Sequence, residues 1–332
     1  MRRVAAAAIG FGAAVIGWAG MASAQDFQPA IIFDMGGKFD KSFNEAAYRG
    51  AERFKEEHGI DYLEFEITNE SQREQALARM AGRGGADVVV AVGFGFTSPL
   101  EEIAPEYPDT KFTIIDSVVE APNVRSVVFE EHEGSFLVGI AAAMASETDS
   151  VGFVGGMDIP LIRNFLHGYR QGVAHVDDDI TVLANMTGDT PAAWNDPTKG
   201  AELAQSQFDR GADVVYHAAG GTGLGVLQAA ADSGKLGIGV DSNQNHLHPG
   251  SVLTSMLKRV DVAVYDAFTD AMMGEMATGT LSLGLAENGV DYALDEHNEA
   301  LMTAEMIAAI EQAKAAIIAG ELDVESYYES QE

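Results

Sequence analysis

Short apolar runs alternate with longer amphipathic stretches along most of the chain. Residues 30–33 form an apolar run ending at Asp34, and Gly36-Gly37 follows. Apolar positions at helical spacing then predict a helix over 42–57. The alternation continues with strands expected at 62–67, 87–92, 111–115 and 124–129, and helices at 74–82, 97–107 and 133–146. The run at 87–92 is rich in β-branched residues and suits a strand buried on both faces. A second series begins at 151–155, with further strands at 180–185, 213–216, 236–240 and 251–257. Its helices are expected near 161–173, from Asp196-Pro197, from Gly220-Gly221, over 260–276 and over 303–319. Asp196 suits an N-cap and Pro197 a first helical turn.

Two βα series of similar size predict an α/β protein with two doubly wound lobes built on parallel sheets. Ligands of such sheets bind beyond the carboxyl ends of the strands. Asp34, Gly93-Phe94, Asp116, Gly155-Gly156, Gly220-Gly221 and Asp241 all fall at such ends. One Asp in that position is usually a cap or a turn residue, but three in equivalent places suggest a shared cleft.

The chain's start changes the picture of where it goes. Arg2 and Arg3 precede an apolar run, and Ala22-Ser23-Ala24 offers small residues for signal peptidase. This is a secretory leader, with cleavage expected after Ala24. Composition then removes several functions. With no cysteine there is no disulfide, no thiolate metal site and no thiol for a lipid. A net charge of −31 repels phosphate backbones, so nucleic acid is not expected as a partner. The acidity itself fits a solvated surface and names no ligand.

Tests for catalytic chemistry fail. There is no H-E-x-x-H, no G-x-S-x-G and no Walker lysine. Carboxylate pairs are unavoidable with 51 acids and carry no signal. His246 and His248 form an H-x-H pair that reads as a polar loop, since no third metal ligand is evident. The glycines at 220–225 do not match a dinucleotide loop, and fit a helix N-terminus offering N–H donors. No catalytic residue, metal or cofactor is expected.

Three stretches stand out together. They are Asp-Met-Gly-Gly-Lys-Phe-Asp-Lys-Ser-Phe-Asn-Glu at 34–45, Val-Gly-Phe-Val-Gly-Gly-Met-Asp-Ile-Pro-Leu-Ile-Arg at 151–163, and Gly-Val-Asp-Ser-Asn-Gln at 239–244 followed by Leu-Thr-Ser-Met-Leu-Lys-Arg-Val-Asp at 253–261. With Trp-Asn-Asp-Pro-Thr-Lys-Gly at 194–200 they make the chain resemble the basic membrane protein (BMP) family of substrate-binding proteins, over about 29–320. The resemblance implies a binding protein rather than an enzyme. It serves an ABC transporter permease, binds a purine nucleoside such as adenosine, guanosine or inosine, and is expected to be a monomer. It also implies a type I periplasmic binding fold, two lobes joined by three crossing strands. The first lobe would take 25–146 and 253–279, the second 147–252 and 280–332. Many family members carry a lipid on an N-terminal cysteine. This chain has no cysteine, so a freely diffusing periplasmic protein is expected.

A purine needs flat partners and polar groups at its edge. Stacking on an aromatic contributes about 1–3 kcal/mol. The resemblance makes Phe43 one face, and Trp194, from the other lobe, is the candidate for the opposite one. Phe94 and Phe165 are further aromatic candidates that could equally be core. Asn44 and Asp116 suit the base edge. Asp34 could do the same or fix the glycine turn. Asp241 and Lys258 suit the ribose hydroxyls or could pair as an ion pair, and Gly220 and Gly221 could add backbone donors. A flavin, a sugar, or hydrolysis of a nucleoside are the competing readings.

Overall fold

The computed structural model describes residues 27–331, so the expected leader lies outside the described residues. The first series runs β1 (Pro29–Phe33), α1 (Phe43–His58), β2 (Leu63–Glu66), α2 (Arg73–Ala78), β3 (Val88–Val92), α3 (Thr97–Ile103), β4 (Lys111–Ile115) and β5 (Val124–Phe129). The second runs α4 (Glu131–Ala145), β6 (Ser150–Met157), α5 (Pro160–Val176), β7 (Thr181–Gly188), α6 (Pro197–Phe208), β8 (Val214–Ala218), α7 (Gly223–Asp232), β9 (Leu236–Asp241) and β10 (Val252–Lys258). The chain then adds α8 (Val260–Met273), β11 (Gly279–Leu283), β12 (Val290–Tyr292) and α9 (Ala304–Ile318).

Local chemistry explains the element ends. Every residue of β1 and β3 is buried, as an apolar run covered by helices on both faces must be. α1 stops at Gly59, whose φ of 68° lets its N–H reach the Lys55 carbonyl. α6 starts as expected, with the Asp196 carboxylate accepting from the Lys199 N–H and Pro197 in the first turn.

The strands form two six-stranded sheets of matching order, β2-β1-β3-β4-β5-β11 and β7-β6-β8-β9-β10-β12. All pairings are parallel except β10 with β12. Sheet membership changes between β5 and β6, between β10 and β11, and between β11 and β12, so the chain crosses three times.

These crossings correct the expected lobe boundaries. β10 pairs with β9 in the second sheet, whereas 253–258 was expected in the first lobe. α4, also expected there, packs mainly on α5 and also on β10 and α9 of the second. β11, expected in the second lobe, pairs with β5 in the first. Only α8 returns as anticipated, packing on α1. The crossings therefore fall at 129–131, 258–260 and 283–290.

Glycines allow the helices beside two crossings to approach closely. A Cβ on Gly168 of α5 would lie 2.1 Å from the His132 carbonyl oxygen of α4, and one on Gly172 would lie 2.0 Å from that of Phe136. Gly50 of α1 meets the Asp261 carbonyl of α8 in the same way, at 2.2 Å. No helix among the described residues is long and apolar enough to cross a membrane.

Candidate ligand cleft between the lobes

The carboxyl ends of both sheets face one cleft, about 600 Å³ with the open solvent at its mouth included. Asp34 follows β1, Gly93 and Phe94 follow β3, and Asp116 follows β4; from the other lobe come Gly220 after β8, Asp241 ending β9 and Lys258 ending β10. Asp116 and Asp241 occupy corresponding strands of the two sheets. Both hold the left-handed backbone conformation, at φ 66° and 62°. A non-glycine residue there is strained, and such strain persists where surrounding contacts fix it.

Four aromatic rings line the walls. Phe43 opens α1, Phe94 lies after β3, Phe165 is on α5 and Trp194 follows β7. Phe94 and Trp194 approach edge-on from opposite lobes, with ring centroids 6.4 Å apart. The Trp194 indole lies against Gly156, where a Cβ would stand 2.0 Å from Cζ3. The glycine pair at the end of β6 thus makes room for the indole.

Lys258 is the centre of the charge arrangement. It is 1% exposed, and its Nζ lies 2.7 Å from Asp116 Oδ2 and 3.1 Å from Glu131 Oε1. The rings of Phe43, Phe129 and Phe165 surround it, their centroids 5.1–5.4 Å from Nζ. Burial disfavours its charge, but Asp116, Glu131 and Asp241 outweigh burial and hold the amine above its ordinary range. The carboxyls respond in the other direction. Burial, opposed by Lys258 and reinforced by Asp116, pushes Glu131 up to about 7. Burial likewise raises Asp241 to about 6 against the pull of Lys258 and Ser42. Asp116 is raised by burial too, and its Oδ1 has no hydrogen-bond partner. A buried acceptor left over in a cleft is a place for a ligand donor.

These shifts give a first testable result. Glu131 titrates at about 7 when folded, against an ordinary value of 4.5. Across that window the folded chain keeps a proton that the unfolded chain releases, so stability falls as pH rises, by at most about 1.4 kcal/mol per pH unit. Asp241, held at about 6, adds a fall of its own below that pH, so urea denaturation of ligand-free protein from pH 6 to 8 should isolate the Glu131 slope, and Glu131→Gln should flatten it there.

Most of the expected residues line the cleft: Asp34, Phe43, Phe94, Asp116, Trp194, Gly220, Asp241 and Lys258. Asp34 is engaged from behind, one oxygen accepting from Arg73 Nε at 3.0 Å and from its terminal nitrogen at 2.8 Å. Asn44, expected at the base edge, is engaged within its own lobe. Its amide accepts from the Asp34 N–H and donates to Asp40, so it fixes the loop, and it is not among the side chains lining the cleft. Gly221 also lies off the cleft lining, packed behind Gly220 against the Trp194 carbonyl. His246 and His248 join neither compact group of potential metal ligands among the described residues, Asp295-Glu296-His297 and Asp177-Asp178-Asp179.

Sequence reasoning missed Asp40, Glu131 and Leu161. Asp40 caps the start of α1, accepting from the N–H groups of Ser42, Asn44 and Glu45, and it lines the cleft as well. An Asp just before a predicted helix was a legible signal for the cap. Glu131 had none, standing in an acidic run that reads as a solvated helix start.

Two parallel-sheet lobes closing strand ends over one cleft define a bilobal ligand-binding fold. Comparison with known proteins agrees: the family described as "ABC transporter substrate-binding protein PnrA-like" matches residues 27–326. The chain belongs to this BMP family of ABC transporter substrate-binding proteins. An uncharacterized lipoprotein of Pyrococcus abyssi is 38% identical over 81% of this chain and 69% of its own length. The ABC transporter nucleoside-binding protein BmpA of Lactococcus lactis is 32% identical over 91% and 90%. An ABC transporter solute-binding protein from Aeropyrum pernix superposes with a TM-score of 0.82, at 32% identity over 90% and 92%.

One expectation is overturned here. Relatives from three Pyrococcus species are named lipoproteins, which conflicts with a freely diffusing, unanchored protein.

Proposed function

We propose that the cleft captures a purine nucleoside, which the chain then delivers to its ABC permease. The observation that carries the reading is the pairing of aromatic walls from opposite lobes with a buried lysine–carboxylate cluster between them. The base lies between Phe43 and Trp194, with Phe94 at its margin. Asp116, through its unpartnered oxygen, takes a ring or amino N–H. Asp241 accepts from the ribose hydroxyls and Lys258 donates to them. The relative in L. lactis named as nucleoside-binding supports the same class of ligand. Capture is by closure of the lobes about the crossings, and no bond in the ligand is made or broken.

Calorimetry on protein stripped of co-purified ligand tests this. Adenosine, guanosine or inosine should bind one to one, and absence of heat with all three would sink the reading. Chromatography after prolonged incubation should show no free base; release of base would instead indicate hydrolysis. Asp241→Ala should weaken nucleoside binding about tenfold or more, the cost of a charged hydrogen-bond partner. It should lower ligand-free stability at pH 8 much less than it weakens binding, because the lost Ser42 and Lys258 contacts are offset by deleting a carboxylate that burial opposes. Equal losses in both would make Asp241 a structural residue.

A further inference from the structure

Beside the lysine cluster, two segments meet across the lobe junction through a set of buried hydrogen bonds. Ser42, at the start of α1, donates from Oγ to Asp241 Oδ2 at 2.5 Å, with the Val240 carbonyl oxygen 3.3 Å from the same Oγ. Its own carbonyl accepts from Ser242 Oγ at 2.7 Å, and Ser242 Oγ accepts from Arg49 at 2.7 Å. The Lys41 carbonyl accepts from Gln244 Nε2 at 3.0 Å. Lys41 through Arg49 belong to the first lobe, and Val240 through Gln244 to the second. Ser42, Ser242 and Gln244 are all buried.

The orientation of Gln244 is fixed without ambiguity. Its Oε1 accepts from the Val240 N–H, a backbone donor, at 2.9 Å, so the amide nitrogen must be the end that points at Lys41. Oε1 also sits 2.9 Å from His217 Nε2, which must therefore carry the proton. Burial pushes His217 down to about 4, so it remains a neutral donor at any working pH. His217 and the Val240 N–H thus aim Gln244 across the junction from within the second lobe. On the facing side Lys41 holds a left-handed backbone at φ 62°, matched by Asp241 at φ 62°. Two non-glycine residues in this conformation, one on each side of the junction, mark a contact that holds both turns in shape.

We propose that these groups form an interlobe latch, and that Ser42 and Gln244 are positioning residues for Asp241. Ser42 orients the cleft carboxylate from the opposite lobe, so Asp241 reaches its ligand-holding geometry only when the lobes are together. Capture and closure are coupled through one hydroxyl. The proposal rests on the reading of the cleft as the ligand site, and it concerns how long a ligand stays rather than which ligand enters.

The absence of cysteine allows a direct test. Spin labels placed by Glu101→Cys in the first lobe and Glu202→Cys in the second, both exposed, report the interlobe distance with and without inosine. Stopped-flow fluorescence of Trp194 gives inosine association and dissociation rates. Ser42→Ala and Gln244→Glu are the test variants. Gln244→Glu keeps both acceptor contacts within the second lobe and replaces the donor that crosses with a carboxylate oxygen that repels the Lys41 carbonyl, so distances and rates are read at pH 8 to favour the ionised form. Each variant should shift the label distances toward longer values and raise the dissociation rate about tenfold, with association within about threefold. Unchanged distances and rates would overturn the latch, and so would a parent protein that shows only the long distance under both conditions. Should inosine fail to bind at all, the nucleoside reading falls, while the short distance in ligand-free parent and its loss in the variants still decide the latch.

Discussion

Lys258→Met is expected to reduce nucleoside affinity about 10- to 100-fold, the usual range for removing a charged hydrogen-bonding partner. It should also destabilise the ligand-free protein by about 3–5 kcal/mol at pH 8, as breaking a buried ion pair from one side does. Methionine keeps the length and most of the volume, so the change tests charge rather than packing. What it leaves behind is Asp116, Glu131 and Asp241 facing one another with no cation between them. Glu131 and Asp241 already titrate at about 7 and about 6 with the lysine present. Without it they rise further, take up protons readily, and become tolerable neutral groups in mildly acidic solution. The destabilisation should therefore be largest at pH 8 and shrink toward pH 5. Urea denaturation at the two pH values, with calorimetry for the nucleoside, checks both parts. A loss of stability that does not vary with pH would mean that packing among Phe43, Phe129 and Phe165 is the lysine's real contribution.

Gly168→Val should cost about 3 kcal/mol, at the upper end for overpacking a core. The His132 carbonyl stands 2.1 Å from where a Cβ would be, and it belongs to the backbone of α4 and cannot rotate away. The two helices must separate. α4 begins with Glu131 and α5 carries Phe165, so the separation also spreads the lysine cluster and weakens ligand binding. Gly188→Ala is the control, since its Cβ would meet nothing nearer than Ala193 at 3.7 Å, and it should stay within about 0.5 kcal/mol of the parent. The shift in urea midpoint for the two variants gives the comparison directly.

The alternation of apolar runs with amphipathic stretches made the two series of strands and helices legible, because a buried parallel strand needs a short β-branched run and little else. Strand-end residues were legible for the same reason: polar groups that interrupt such runs at their carboxyl ends have few other places to go. The partner sheet of a strand is a different matter. Residues 252–258 and 279–283 carry no local mark of which lobe they join, since that depends on a neighbour contributed from far along the chain. β11 is mostly exposed and β12 is three residues long, so neither gave a buried run to recognise. Asn44 looked like a ligand group because an amide suits a base edge, but the Asp34 N–H and the Asp40 carboxylate claim it first. Glu131 was hidden by composition, as one acid among 51.

The three crossings carry a consequence for the order in which the molecule can be made. A ribosome releases the chain from its N-terminus, and domains that are contiguous in sequence can fold as they emerge. The first lobe is not contiguous. Phe54 of α1 is covered by Phe268 of α8, and β5 remains an open edge until residues 279–283 arrive to pair with it. β1, the first strand among the described residues, therefore belongs to a lobe that cannot be finished until most of the chain exists. A growing polypeptide of this design stays incomplete for most of its synthesis, and the two lobes acquire their final form almost together.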